Sequence, residues 1–267
     1  MEKAIRDSTH LISSQRQKCW CLLGKHEDIP QGKLGTLPSR PHQAQLKDNS
    51  IPACSRLHNV PHALQHMARK EMQRLHDVGA LRKIEHSRCG APCVFLPKKS
   101  GGIRFVIDFR KFNLTVQRHP HPLPNVNDAL RKMEGFTHAT CLDVNMGYYH
   151  TLLDKKSQEI CSIILPWGKY AYTRLPQGLN CSPDVFQEKM DAVFHDVEQV
   201  FCFIGNILLV THHGFDDHMD QLEGLLQRLR ENNIQVHIEE TFLASTNFDY
   251  LGYHLTPNWI KPQERKV

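Results

Sequence analysis

Two short apolar runs separated by a glycine and an asparagine place the strongest constraint on how this chain can fold. Residues 200–204 and 207–210 are almost wholly apolar, and Gly205-Asn206 lies between them. A two-residue connection that contains glycine is typical of a tight β-hairpin, because glycine adopts positive φ without steric cost. We therefore predict an antiparallel hairpin over residues 200–210, with Gly205-Asn206 as its turn.

Helix and strand patterns mix along the rest of the chain. Spacing of apolar residues predicts helices at residues 61–79, 125–135, 182–194 and 219–231. Alternation predicts strands at 94–96, 103–107, 140–144 and 248–255, the first two joined as a hairpin. Such a mixture indicates an α+β fold, with an antiparallel sheet and helices packed on one face.

Composition excludes wholesale disorder but defines no partner. The chain has 267 residues, of which 40% are hydrophobic and 23% charged, and its formal net charge is +5. That charge is compatible with a polyanion partner without requiring one. Prolines and glycines interrupt residues 1–55, which are predicted to be a poorly ordered leader or linker with room for one short helix.

The nine cysteines are odd in number and lack the regular spacing of a disulfide-bonded domain. This predicts reduced thiols in an intracellular protein, cytoplasmic or nuclear. Because no CxxC pair occurs, a structural zinc site is not expected. The N-terminus has no signal-peptide pattern, and no apolar run reaches the roughly 20 residues that a bilayer requires. The sequence therefore predicts no membrane contact, and it says nothing about oligomeric state.

Five sequence blocks occur in a defined order. They are LPKKSGGIRFVIDFRKFN (96–113), LDVNMGYYH (142–150), LPQGLNCSPDVFQ (175–187), FIGNILL (203–209) and YLGYHLT (250–256). Together they resemble the reverse transcriptase domain of gypsy-type LTR retrotransposon polyproteins, over about residues 56–267. The resemblance implies a right-hand polymerase, with fingers and palm over 56–254 and a truncated thumb beginning at 255–267. It also implies an RNA/DNA template-primer, dNTP and Mg²⁺ as ligands.

The metal-binding acids of that family are only partly present. Asp143 ends an apolar strand and matches a metal ligand, although an ordinary strand-end acid would look the same. The family's aromatic-x-Asp-Asp turn reads Phe203-Ile204-Gly205-Asn206, so Gly205 and Asn206 occupy the positions of two lost aspartates. One carboxylate cannot hold two divalent ions against their mutual repulsion. The chain is thus expected to be a degenerate copy whose Mg²⁺ binding is weak or lost.

Other acids do not replace the missing pair. Asp216 and Asp217 directly precede a predicted helix, where acids favour the helix N-terminus. The family usually has lysines after that helix, and the corresponding stretch here is Glu239-Glu240-Thr241. Glutamates there would repel a phosphate leaving group.

Several nucleotide and primer contacts of the family are retained. The matching positions for the nucleotide are Lys98, Lys99, Arg104, Tyr148 and Gln177 with Gly178, and those for the primer grip are Tyr250, Leu251, Gly252 and Tyr253. Lysine and arginine suit phosphate oxygens. Each position also has a purely structural alternative. The cations of residues 98–104 would then be solvated groups of a hairpin tip, Tyr148 a core aromatic residue, Gly178 a turn glycine, and residues 250–253 part of a half-buried strand.

Three functions stay open from the sequence. The chain is a reverse transcriptase-like domain without activity, an active RNA-directed DNA polymerase that uses Asp143 with an unrecognised acid, or a non-catalytic nucleic-acid-binding protein. The first and third predictions overlap, because basic and aromatic groups hold nucleic acid without chemistry.

Overall fold

The chain forms two compact units, each with its own β-structure. The first unit comprises residues 1–35, 122–147 and 187–267, and the second unit comprises residues 36–121 and 148–186. The computed structural model describes residues 5–6, 8–30, 32–50, 54–87, 89–98 and 101–263, apart from the side chains of residues 238–240.

Helices and strands occur in mixed order, which confirms the α+β fold class. The helices are α1 (Ser13–Lys25), α2 (His62–Asp77), α3 (Arg110–Thr115), α4 (Val126–Lys132), α5 (Lys155–Ile160), α6 (Ser182–Phe194) and α7 (Phe215–Glu231), with a 3-10 turn at Gly147–His150. The strands are β1 (Leu81–Ile84), β2 (Ala91–Pro97), β3 (Ile103–Ile107), β4 (His138–Val144), β5 (Ser162–Leu165), β6 (Gly168–Tyr172), β7 (Val200–Phe203), β8 (Asn206–Thr211), β9 (Val236–Ser245), β10 (Phe248–Tyr250), β11 (Tyr253–Thr256) and β12 (Trp259–Pro262). The four predicted helices are confirmed as α2, α4, α6 and α7.

A five-stranded sheet forms the second unit, in the order β1-β6-β5-β2-β3. All its strand pairs are antiparallel except β2–β5. The predicted hairpin is confirmed as β2 and β3, with Val94 opposite Val106. Helix α2 buries Ala68, Met72 and Leu75, which recur at helical spacing, and packs against β1 and β3. Strands β1 and β3 are the two edges of this sheet.

The first unit contains a four-stranded antiparallel sheet in the order β7-β8-β4-β9. Successive side chains of a strand point to opposite faces. Helix α7 covers the face that carries Thr140 and Thr211. On the opposite face, Cys141 and Leu208 pack with α4 and with Phe248 of the small sheet β10-β11-β12.

His218 of α7 is wholly buried and links that helix to the sheet. Its Nε2 lies 2.8 Å from Thr140 Oγ1, and its Nδ1 lies 2.8 Å from Thr211 Oγ1. Thr140 Oγ1 also accepts the Ala244 N–H at 2.9 Å. Burial, together with a smaller contribution from the neighbouring His138, lowers the pKa of His218 to about 3. The imidazole is therefore neutral at physiological pH.

Helix α1 lies within the predicted leader, for which one short helix is expected. Residues 13–25 form a regular helix whose Cys19, Leu22 and Leu23 are buried, and it packs along α7. Lys18 and Lys25 form ion pairs with acids of α7, at 2.6 and 3.0 Å. Few apolar residues suffice to hold this helix, because α7 supplies the complementary apolar surface.

The predicted division into leader, fingers-palm and thumb stays a prediction. Its last boundary, between residues 254 and 255, falls inside strand β11. All nine cysteines have free thiols, and seven of them are buried. Among the residues that the structure describes, no helix is both long and apolar enough to cross a membrane.

Candidate active site

The turn between β7 and β8 consists of Ile204 and Gly205, one residue earlier than predicted. Phe203 pairs with Asn206, so Asn206 is the first residue of β8 rather than part of the turn. Ile204 and Gly205 both have positive φ, 41° and 93°, as a type I′ turn requires. The prediction of Gly205-Asn206 was wrong because a β-branched residue rarely adopts this conformation, which costs about 1–3 kcal/mol.

Gln187 of α6 holds this turn in place. Its Oε1 accepts the Ile204 N–H at 3.0 Å, and its Nε2 donates to the Cys202 carbonyl at 2.9 Å and to Asp191 Oδ1 at 2.7 Å. The side chain is wholly buried. Sequence reasoning missed this role, although a glutamine on the buried face of an amphipathic helix was a signal that it serves a buried polar group.

Asp143 lies between two polar neighbours on adjacent strands. It pairs with Asn206 of β8 on one side and with His237 of β9 on the other. Residues opposite each other in antiparallel strands project to the same face, so the three partly buried side chains form a row. Within the described part of the chain, His237 Nδ1 is buried without a hydrogen-bond partner. The Val144 N–H donates to the Gly205 carbonyl at 2.8 Å, which fixes the turn beside β4.

This row does not fit a pair of Mg²⁺ ions. Mg²⁺ requires hard oxygen ligands, and closely spaced ions require several carboxylates. The row supplies one carboxylate from Asp143, a neutral amide from Asn206 and an imidazole from His237, whereas Gly205 supplies no side chain. Over the described ranges, no group of three His, Cys, Asp or Glu side chains is placed to hold a metal.

The other acids near these motifs have separate positions. Asp216 and Asp217 lie in the first turn of α7, as predicted, and Asp216 pairs with Lys18 at 2.6 Å. Glu239 and Glu240 lie within β9, but their side chains are outside the described residues.

The phosphate-binding candidates of the second unit lie on the β2–β3 hairpin. Lys98 directly follows β2 and is exposed, and its backbone exchanges hydrogen bonds with Gly101 and Gly102. Arg104 is exposed on β3 opposite Leu96, and no ion pair to it occurs among the described residues. Lys99 lies outside the described residues.

Tyr148 and Gln177 occupy two loops of the second unit. Tyr148 lies in the 3-10 turn, where its ring meets Phe186 edge-on at 5.4 Å and burial raises its pKa. Gln177 is exposed beside Gly178, whose φ of 100° requires glycine. A Cβ at Gly178 would lie 3.4 Å from Phe109, so the loop approaches the end of β3 closely.

The primer-grip candidates form a hairpin, not the single strand predicted for residues 248–255. Tyr250 ends β10 and Tyr253 begins β11, and the two are paired across Leu251 and Gly252, both with positive φ. Burial raises the pKa of Tyr250. Tyr250, Leu251 and Phe203 line one apolar cavity of about 270 Å³ in the first unit. The structure therefore brings this hairpin close to the Phe203–Asn206 turn.

Comparison with known proteins agrees with the motif order. The profile of the family Reverse transcriptase (RNA-dependent DNA polymerase) matches residues 96–255, more than half of the chain. The retrovirus-related Pol polyprotein from transposon 412 of Drosophila melanogaster is 28% identical over 233 residues, which are 84% of this chain and 18% of that protein. The transposon Tf2-7 polyprotein of Schizosaccharomyces pombe is 26% identical over 178 residues, 66% of this chain and 13% of that protein.

Solved structures share the fold. The foamy viral protease-reverse transcriptase in complex with an RNA/DNA hybrid has a TM-score of 0.89 at 19% identity, covering 99% of this chain and 36% of that one. Its dRH form in complex with double-stranded DNA has a TM-score of 0.90 at 20% identity, covering 99% and 46%. This chain spans less than half the length of each of these four proteins. It belongs to the reverse transcriptase family, in the form found in LTR retrotransposons.

Proposed function

We propose that this reverse transcriptase-like domain of retrotransposon origin does not catalyse nucleotide addition. The observation that carries the proposal is the row of Asn206, Asp143 and His237 beside a turn whose Gly205 has no side chain. Nucleotidyl transfer depends on positioning and on neutralising charge, which the two-metal mechanism achieves with carboxylate-held ions. With one carboxylate in the row, Mg²⁺ binding is weak or lost.

Retained nucleic-acid binding is the second part of the proposal. The relatives of known structure hold an RNA/DNA hybrid and double-stranded DNA, which supports a template-primer as the partner. Lys98 and Arg104 are exposed cations on one hairpin, as a triphosphate or a template strand requires. Tyr148, Gln177 and residues 250–253 are the further contacts that we propose with dNTP and primer.

An intracellular location is also proposed. Seven of the nine free thiols are buried. Burial raises the pKa of Cys141 and Cys202 to about 12, so these thiols are not readily ionised. Unpaired, buried thiols are typical of proteins from reducing compartments.

Primer extension tests the loss of activity. The purified chain of residues 1–267 is incubated with an RNA template, a DNA primer and dNTP, in Mg²⁺ and separately in Mn²⁺, beside an active retroviral reverse transcriptase. We expect extension at least about 1,000-fold slower than in the positive control, because groups that act as a unit are missing. Processive synthesis by the unsubstituted chain would show an active polymerase with an unrecognised acid and would overturn the proposal.

The double variant Gly205→Asp with Asn206→Asp is the matched test of the cause. We expect it to bind Mg²⁺ more tightly in a calorimetric titration than the parent does, since two carboxylates are added beside Asp143. Extension returns in this variant only where the remaining site positions are intact. Unchanged Mg²⁺ affinity would show that the turn is not the origin of the defect.

A fluorescence anisotropy titration with template-primer tests binding. We expect affinity to fall steeply with salt and to weaken in the variant Lys98→Glu with Arg104→Glu. The matched control, Arg131→Glu with Lys132→Glu, makes the same charge change on exposed positions of α4. Salt-insensitive binding, or equal losses in both variants, would contradict the proposed contacts.

A further inference from the structure

The two units carry formal charges of opposite sign. The second unit has 19 lysine and arginine residues against 8 aspartate and glutamate residues, a formal charge of +11. The first unit has 14 against 20, a formal charge of −6. The modest net charge of the whole chain therefore hides a strongly basic unit, and a polyanion is attracted to that unit.

A large groove lies along the β1 edge of the second unit. It has a volume of about 1,020 Å³ and is lined by Arg82 and Lys83 of β1, Lys169 of β6 and the exposed His86. Two acids, Glu85 and Glu159, also line it. Among the described residues none of these three cations forms an ion pair, and Arg82 uses only its Nε, which donates to Gln158 Oε1 at 3.3 Å.

The backbone of β1 adds a donor to this groove. The Thr173 N–H donates to the Ala80 carbonyl, which makes the pair Ala80–Thr173 a hydrogen-bonded one. In an antiparallel ladder such pairs alternate, so the register of β1 with β6 directs the N–H of Lys83 away from β6, toward the groove. A main-chain N–H in a groove that is also lined by two lysines and an arginine suits an oxyanion.

This groove is far from the proposed phosphate contact Arg104. Arg104 lies on β3, at the opposite edge of the same five-stranded sheet. Four strand spacings of about 4.8 Å place the two edges roughly 19 Å apart. A ligand in the groove is therefore not bound by the β2–β3 hairpin.

We infer that the β1 groove binds the phosphate backbone of a single-stranded nucleic acid, as a contact separate from the β2–β3 hairpin. Unpaired cations supply the attraction, and Ile84, Ile160 and the His86 ring supply apolar surface for bases. Addition of a peptide strand to β1 is less compatible, because charged side chains on a four-residue edge strand oppose strand pairing.

The test is an anisotropy titration of the full chain with a labelled 20-nucleotide oligouridylate over a range of salt concentrations. We expect the variant Lys83→Glu with Lys169→Glu to bind at least about tenfold more weakly at low salt. The slope of log K against log salt should fall by about 1.4, the value for two phosphate contacts on a single strand. Lys83→Gln with Lys169→Gln should lose part of the affinity, which keeps the test valid if the reversed charges disturb folding.

Two control variants and one competitor separate a contact in the groove from a general effect of charge. Arg131→Glu with Lys132→Glu should leave the affinity nearly unchanged. If this variant loses as much RNA affinity as Lys83→Glu with Lys169→Glu does, the loss follows from net charge alone and the inference is overturned. Loss confined to Lys98→Glu with Arg104→Glu would also overturn the inference but would leave the proposed function standing. Displacement of the RNA by polyglutamate at equal charge would overturn it in favour of an acidic protein partner.

Discussion

At the scale of single residues, Ile204 shows how the fold tolerates an unfavourable side chain. Its φ of 41° is rarely adopted by β-branched residues. The side-chain Oε1 of Gln187 compensates by accepting a hydrogen bond from the Ile204 N–H. Asparagine adopts this conformation more easily, and Asn-Gly is the favoured type I′ pair. The strained turn is therefore a local property of the side chain at position 204.

We expect Ile204→Asn to stabilise the chain by about 1 kcal/mol, because it relieves the backbone strain of the turn. Equilibrium unfolding in urea measures the change. Ile204→Val keeps the branched Cβ and is the matched control, for which no gain is expected. A loss of stability in the asparagine variant would mean that packing of the isoleucine outweighs its strain.

Gln187→Ala should destabilise the chain by about 3 kcal/mol. It leaves the Ile204 N–H and the Cys202 carbonyl without their buried partner, and each such group costs about 1–3 kcal/mol. Urea unfolding beside Gln227→Ala gives the comparison, because Gln227 makes an exposed hydrogen bond to Glu231. Similar losses in both variants would show that Gln187 does not hold the turn.

His218 makes stability depend on pH. Its folded-state pKa of about 3 lies below the unfolded value of about 6.5, so the unfolded chain binds the proton first as pH falls. The stabilisation is complete above pH 6.5 and declines toward pH 3, by up to about 1.4 kcal/mol per pH unit. We expect His218→Gln to flatten the free energy of unfolding between pH 6.5 and 4.5, measured in urea. His213 is exposed, so His213→Gln should keep the parental slope. If His218→Gln keeps that slope too, His218 is not the origin of the pH dependence of stability.

At the scale of elements, sequence patterns predicted those helices and hairpins whose signals are local. Helix α2 has an apolar stripe and is followed by Gly79, whose φ is 75°, and α4 is capped by the Asn125 side chain. Helix α1 lacked such a pattern, because its stability comes from contact with α7, about 200 residues away in sequence. Alternation alone predicted one strand for residues 248–255, since Leu251 carries no turn signal although its φ is 49°, whereas the resemblance implied the hairpin.

The packing of α1 gives a prediction at this scale. Leu22→Ala should destabilise the chain by about 2–4 kcal/mol, because it removes a buried side chain of α1, the helix that packs along α7. Lys18→Ala should cost less than about 0.5 kcal/mol, since its ion pair with Asp216 is exposed. Urea unfolding distinguishes the two, and a negligible effect of Leu22→Ala would show that α1 is a dispensable leader.

At the scale of the whole molecule, the order of the five blocks predicted the fold better than composition did. The sequence predicted those candidate site residues whose own side chains would contact the metal or the phosphate, such as Asp143 and Arg104. The supporting groups were not, because Gln187 and His237 acquire their positions only when α6 and β9 meet the turn and β4. The net charge of +5 also concealed the basic second unit, because its +11 is partly offset by the −6 of the first unit.

The chain has 18 histidines, the residue type whose charge is most sensitive to pH near neutrality. Burial lowers the pKa of His26, His138 and His218, so protonation of these three is shifted to lower pH. Imidazole is the side chain that ordinarily changes charge near neutral pH, and each positive charge added to a strongly basic unit strengthens its attraction to phosphate. We therefore expect the affinity for the labelled oligouridylate to rise as pH is lowered from 8 to 6 at constant ionic strength. An analogue with an uncharged backbone should show no such rise in the same anisotropy titration. Equal affinities of the RNA at pH 8 and 6 would mean that the histidines lie away from the bound strand, because charge near the phosphates cannot change without changing the free energy of binding.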